Sequence, residues 1–247
     1  MKSVVKWSGL ALCAYVFFLV ASLPASQVIY RLDLPEQLSI QGVSGTIWQG
    51  QASAVSYAGL PLRNVSWQLD ILPLLWGSFS AEVKAGNIRQ VDEIAFDGNL
   101  QVSSERLQLG EFQAYLPTDL ILANLKLPFP VEAEGRFKLD IGQLDYATVC
   151  QSLSGKGQWL NAKVAGLNGL IDLGNFDATL GCENNNVVVN VQEPNSFGLS
   201  AQAVVPANLK FKVNGRFKPA SSLPSEVHQA AQFFGRPDGE GYYTIKL

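Results

Sequence analysis

The feature that most constrains this chain is a two-residue alternation of apolar and polar side chains, strictest from Val131 to Ile141. Val131, Ala133, Gly135, Phe137, Leu139 and Ile141 fall on one side of an extended backbone, and Glu132, Glu134, Arg136, Lys138 and Asp140 on the other. That is a strand with one face in water. The pattern recurs at Val65–Leu69, Phe79–Val83, Ile94–Val102, Phe176–Cys182 and Phe197–Val205, and in shorter runs at Phe211–Phe217 and Tyr243–Leu247. Turn formers separate the runs: Gly59 to Pro61, Gly86-Asn87, Asn184 to Asn186, Pro194-Asn195 and Asp238-Gly239. The expected fold is mainly β, a curved antiparallel meander with a few short helices. Its wet face must be built largely from neutral groups, since only 16% of residues are charged while Ser, Gln and Asn number 20, 17 and 14.

Helical pattern is scarce. Ser222 to Phe234 is the best case, with Ser222 as N-cap, Pro224 in the first turn, Val227, Ala230, Ala231 and Phe234 on one stripe and Gly235 as the stop. Leu144–Leu153 is weaker, and the proline-bearing runs Leu72–Trp76 and Leu116–Leu127 read as short helices or loops under the sheet. Gly135-Arg136-Phe137-Lys138 returns as Gly215-Arg216-Phe217-Lys218, an echo that points either to stacked hairpin units or to coincidence of strand composition.

Trp7 to Tyr30 contains no charge, and as a helix it would cover about 36 Å, enough for a hydrocarbon core of about 30 Å. Lys2 and Lys6 precede it without acidic neighbours, so the positive-inside rule keeps the N-terminus in the cytoplasm and exports the rest. Trp7 and Tyr30 suit the two interfaces. The expected division is residues 1–6 cytoplasmic, 7–27 a transmembrane anchor and 28–247 a periplasmic β-sheet domain, a single-pass inner-membrane protein. The competing reading is a cleaved signal peptide, for which Val20-Ala21-Ser22 and Leu23-Pro24-Ala25 offer poor sites. With Cys13 in the anchor, Cys150 and Cys182 form an even pair in the exported part and are expected to bond, two buried thiols being the alternative.

Chemistry is thin. A net charge of -3 without a basic run argues against a nucleic-acid partner, and one histidine, His228, cannot build a multi-histidine metal site. No cofactor is expected. Glu132 and Glu134 share a strand face about 7 Å apart, near a glycosidase spacing, but on the solvated side of their strand. His228 falls on the polar side of its helix. Asp238-Gly239-Glu240-Gly241 lacks the further ligands of a calcium loop and reads as a hairpin turn, and the sequon Asn64-Val65-Ser66 lies inside a strand. An anchored, neutral sheet binds rather than transforms. Two classes compete: an assembly component whose sheet meets other proteins, and a curved sheet whose apolar face handles acyl chains.

At Gly45-Thr46-Ile47-Trp48-Gln49-Gly50, then Asn64-Val65-Ser66-Trp67-Gln68-Leu69 and Leu74-Leu75-x-Gly77, the chain resembles the type II secretion system protein N family. Cys150 and Cys182, the strand Gly155-x-Gly157-x-Trp159 between them, and the closing Phe234-Gly235-Arg236-Pro237-Asp238-x-x-Gly241-Tyr242 extend the resemblance over essentially the whole chain. It implies a non-enzymatic accessory subunit on the inner-membrane side of a machine that moves folded proteins out of the periplasm. Inner-membrane and periplasmic secretion subunits would be its partners. The family also looks distantly like AsmA-type periplasmic sheets, which keeps a lipid ligand open by analogy. It supplies no catalytic residues; Trp48, Trp67 and Trp159 are expected at core or groove positions.

Overall fold

The computed structural model describes residues 2–74, 76–124, 132–207 and 211–246. The first elements are α1 (Lys2–Ala21), α2 (Ala25–Ile29), β1 (Leu38–Gln41), β2 (Ser44–Gly45), β3 (Gln49–Tyr57), β4 (Leu60–Asp70), α3 (Ile71–Leu74) and β5 (Phe79–Ala85). Then come β6 (Ala95–Val102), β7 (Leu107–Pro117), α4 (Thr118–Asn124), β8 (Ala133–Tyr146), β9 (Cys150–Gly166) and β10 (Gly169–Glu183). The chain closes with β11 (Asn186–Gln192), β12 (Ser200–Val205), β13 (Lys212–Phe217), α5 (Ser225–Ala231) and β14 (Tyr243–Lys246). Among the described residues these strands make one sheet, laid down in sequence order with every neighbour antiparallel, β2 alone lying off the path beside β3. Twelve steps of about 4.8 Å separate β1 from β14, so the ribbon runs roughly 58 Å from edge to edge.

Register explains why a sheet this wide holds together as a single layer. Gln51, Ser66, Lys84, Asp97, Gln113, Asp140, Lys156, Thr179, Asn190, Gln202, Asn214 and Lys246 stand each opposite the next across twelve strands. One position along each strand, on the other face, a second row is wholly apolar: Ala85, Phe96, Ala114, Leu139, Gly157, Ala178, Val191, Ala201, Gly215 and Ile245. The alternation of each strand thus becomes a polar and an apolar face of the whole ribbon. Most of the larger apolar side chains on that face are half-buried rather than buried. The accessible surface of 16398 Å² is well above the roughly 11,000 Å² expected of a compact chain of this mass.

The densest packing lies over β9 and β10, where Ala162, Ile171, Leu173 and Phe176 meet Val227 of α5. An aromatic ladder runs through it across the strands. Ring centroids are 5.6 Å apart for Phe137–Trp159 and for Trp159–Phe176, 6.3 Å for Phe176–Phe197, 6.1 Å for Phe197–Phe217 and 5.4 Å for Phe217–Tyr243. Cys150 and Cys182 are disulfide-bonded with Cα atoms 5.7 Å apart, tying the start of β9 to the end of β10.

The structure departs from the sequence reading in definite places. The apolar helix does not run from Trp7 to Tyr30: α1 stops at Ala21 and α2 begins at Ala25, because Pro24 supplies no backbone N–H and forces its predecessor out of helical conformation. Among the described residues no helix is long and apolar enough to cross a membrane. The side chains described in α1 begin at Lys6, so Trp7 to Ala21 is the apolar part in view. Leu144–Leu153 is not a helix; it is the end of β8, a turn and the start of β9, its apolar residues having been read at the wrong period. Arg136 keeps the face of Lys138, both reaching the Tyr115 ring, yet it is buried at 8% exposure because the loop between β5 and β6 covers it.

Helix α5 starts after Pro224, not Ser222, and passes into a 3-10 turn, Gln232–Phe234, before Gly235 (φ +105°) ends it. Asp238 to Gly241 is a turn ahead of β14 rather than a hairpin: Asp238 Oδ1 accepts the backbone N–H groups of Glu240 and Tyr242. Strands β7 and β11 escaped notice, the first because Glu111 (φ +48°) interrupts its alternation, the second because its valines form a near-continuous run. Val131 and residues 125–127 of the Leu116–Leu127 run lie outside the described residues, whereas Thr118–Asn124 is α4.

Candidate functional site: the apolar face and its tether

Four of the family-motif residues, Gly45, Trp48, Gly50 and Trp67, gather where β2, β3 and β4 begin the ribbon. Gly45 (φ +84°) pairs with Gly50, and a Cβ on Gly50 would run into the Trp67 ring, so the glycine lets the indole lie flat across β3. Trp67 Nε1 donates to the Ile47 carbonyl at 3.1 Å. Trp48 Nε1 donates to the Val20 carbonyl at 2.9 Å, an acceptor in the last turn of α1 that the Leu23 N–H also reaches at 3.3 Å. A bridge between Pro24 and Thr46, with Ile47 N–H donating to Leu23 O at 3.1 Å, completes a tether from the end of α1 to the first strands. An open cavity of about 380 Å³ beside it is lined by Gln49, Gln51, Gln68, Glu82 and Lys84.

The other singled-out residues are dispersed. Asn64 (φ +49°) lies within β4 in a left-handed conformation, with the register to β3 unbroken on either side of it, Ala52 pairing with Val65 and Ala54 with Arg63. Trp159 sits in the ladder, its Nε1 donating to Glu134 O at 3.2 Å. Lys6, Trp7 and Tyr30 are exposed, and Lys2 opens α1. Glu132 and Glu134 are exposed, and His228 is half-buried on α5. Among the described residues no group of His, Cys, Asp and Glu is placed to hold a metal.

The charged groups that do converge belong to the polar face. Asp140 takes Lys138 Nζ at 2.7 Å and Gln113 Nε2 at 2.6 Å, which hold its carboxyl below the ordinary range, and Asp140 in turn raises the Lys138 ammonium. Arg136 was missed as a buried cation. Burial pushes its guanidinium down from its ordinary value, while Nη1 donates to Ile88 O at 2.6 Å and Nη2 to Glu93 O at 3.2 Å. The only sequence signal for it was the repeated Gly-Arg-Phe-Lys. The arrangement can bind along a face.

The family described as Type II secretion system (T2SS), protein N, matches residues 36–246. A protein of Aeromonas hydrophila called type II secretion system protein N is 29% identical, with 100% of this chain and 98% of the relative covered. Its namesake from Vibrio cholerae serotype O1 is 28% identical over 99% of this chain and 98% of its own, and that of Klebsiella pneumoniae 26% identical over 94% and 91%. No solved structure matches the chain.

Proposed function

We propose, because the chain belongs to the type II secretion system protein N family, that it is a non-enzymatic, inner-membrane-anchored accessory component of a type II secretion machine. The observation that carries the reading beyond family membership is the Trp48–Val20 tether. It fixes an exposed apolar helix to one end of a long ribbon, as a protein needs that is held at a membrane and reaches into the periplasm. In this reading α1 attaches to the inner membrane with Lys2 and Lys6 on the cytoplasmic side. The ribbon then offers its surface to inner-membrane and periplasmic subunits of the machine.

Deleting the chain should strand folded secretion substrates in the periplasm without changing envelope lipid composition. A deletion strain that secretes normally would sink the proposal. The second reading, an AsmA-like lipid carrier, is favoured by one observation, the apolar row that crosses ten strands with half-buried neighbours. An apolar surface of that extent is more than a soluble monomer ordinarily leaves open. Stoichiometric phospholipid retained by the purified full chain, together with secretion unaffected by deletion, would replace the first reading with this one.

A further inference from the structure

The repeated Gly-Arg-Phe-Lys segments build the same local structure twice. In β8, Lys138 stands opposite Tyr115 of β7, and Arg136 and Lys138 approach that ring at 4.6 and 5.9 Å from its centroid. In β13, Phe217 pairs with Tyr243 of β14, which sets Lys218 beside Tyr242; Arg216 and Lys218 approach the Tyr242 ring at 4.4 and 5.5 Å. Because β8 and β13 run in opposite directions, and their tyrosine strands lie on opposite sides of them, the two modules are related by a half-turn about an axis normal to the sheet.

The modules differ in what covers the arginine. Arg136 is buried under the loop between β5 and β6, whose Ile88 and Glu93 carbonyls it holds, and that loop leads into β6, the strand next to β7. Arg216 is 54% exposed at its side chain, and the acidic groups beside it, Glu240 at 3.7 Å and 75% exposed and Asp238 in the same turn, belong to the exposed segment before β14. Applying the half-turn, the loop that would cover Arg216 must come from beyond β14. Among the described residues this chain has no strand there, and the outer edge of β14 is unpaired.

We infer that Arg216, Tyr242 and the free edge of β14 form a docking site for an extended strand and its adjoining loop from another protein. The strand adds antiparallel to β14 as β6 adds to β7, and backbone carbonyls of its loop bind the Arg216 guanidinium, as those of Ile88 and Glu93 bind Arg136. The occupant we assign is a subunit of the secretion machine, so the inference rests on the proposed function.

The test uses the full chain carrying a photo-crosslinking residue at Thr244, co-expressed with the inner-membrane subunits of its secretion system. A crosslink to one of those subunits is expected, reduced about tenfold or more by Arg216→Ala, the worth of a charge-assisted hydrogen bond. Arg216→Lys, which keeps the charge but not the fork, should not restore it. Arg216→Ala should leave the unfolding midpoint unchanged, whereas Arg136→Ala lowers it. A crosslink insensitive to Arg216→Ala, a crosslink only to a second copy of this chain, or a midpoint that falls in Arg216→Ala overturns the site. If deletion blocks secretion but Arg216→Ala secretes normally without a crosslink, the site alone fails. If deletion leaves secretion intact, the proposed function fails with it.

Discussion

Single residues in this ribbon do work that their local sequence only hints at. Trp48 reads as an aromatic for a core, yet its indole N–H closes the end of α1 on the Val20 carbonyl. Trp48→Phe keeps the ring and removes that bond. It should cost about 1 kcal/mol and raise amide exchange at Ser22 and Leu23 while exchange in β8–β10 stays as it was. Equal protection in both proteins would show that the tether holds nothing. Asp140 gives a pH signature. Its folded pKa lies below the ordinary 3.8, so its stabilisation is present above that value and is lost as pH falls through the lowered one. Lys138, raised above 10.5, contributes below that value and loses its share as pH rises through the raised pKa. The unfolding midpoint of Asp140→Asn should therefore fall less steeply than that of the parent on the acid side of 3.8, and the two should differ by a constant amount between pH 5 and 9. Parallel acid limbs would refute the assignment.

Elements are stabilised here by crosslinks and ladders more than by a closed core. The Cys150–Cys182 disulfide bridges a sequence separation of 32 residues, worth about 3 to 4 kcal/mol in the chain-entropy model. Cys150→Ser and Cys182→Ser should each lower the unfolding midpoint, and the double variant should be no worse than either, because a shared bond is lost once. Additive losses would mean that each sulfur contributes independently. Phe176 stands between Trp159 and Phe197 in the aromatic ladder and is 8% exposed, so Phe176→Ala should cost about 3 to 5 kcal/mol in a calorimetric scan. A loss under about 1 kcal/mol would show that the ladder collapses around the gap. Helix α5 was legible because Val227 and Ala231 fall on one stripe, whereas Leu144–Leu153 misled because a short apolar run has no period of its own until its neighbours are known.

At the scale of the whole molecule, the topology proposal is checked by fusing a reporter after Leu247: activity confined to the periplasm is expected, and cytoplasmic activity would remove both functional readings. The sequence by itself determined that the chain is a meander of antiparallel strands, because alternation at period two and Gly, Asn and Pro turns are local properties of the backbone. It also marked Cys150 and Cys182 as a pair, and it carried the resemblance borne out over residues 36–246. Only the tertiary structure decided what register decides. Which residue stands opposite which depends on register shifts such as that of β8 against β9 between Glu134 and Arg136, which no single strand's pattern announces. Register drew twelve polar residues into one row, while the loop between β5 and β6 buried Arg136, which alternation had placed in water, and its twin Arg216 stayed open beside the last strand. The attachment of α1 through Trp48 was likewise set by a contact 28 residues apart in sequence, a separation at which no local pattern carries information.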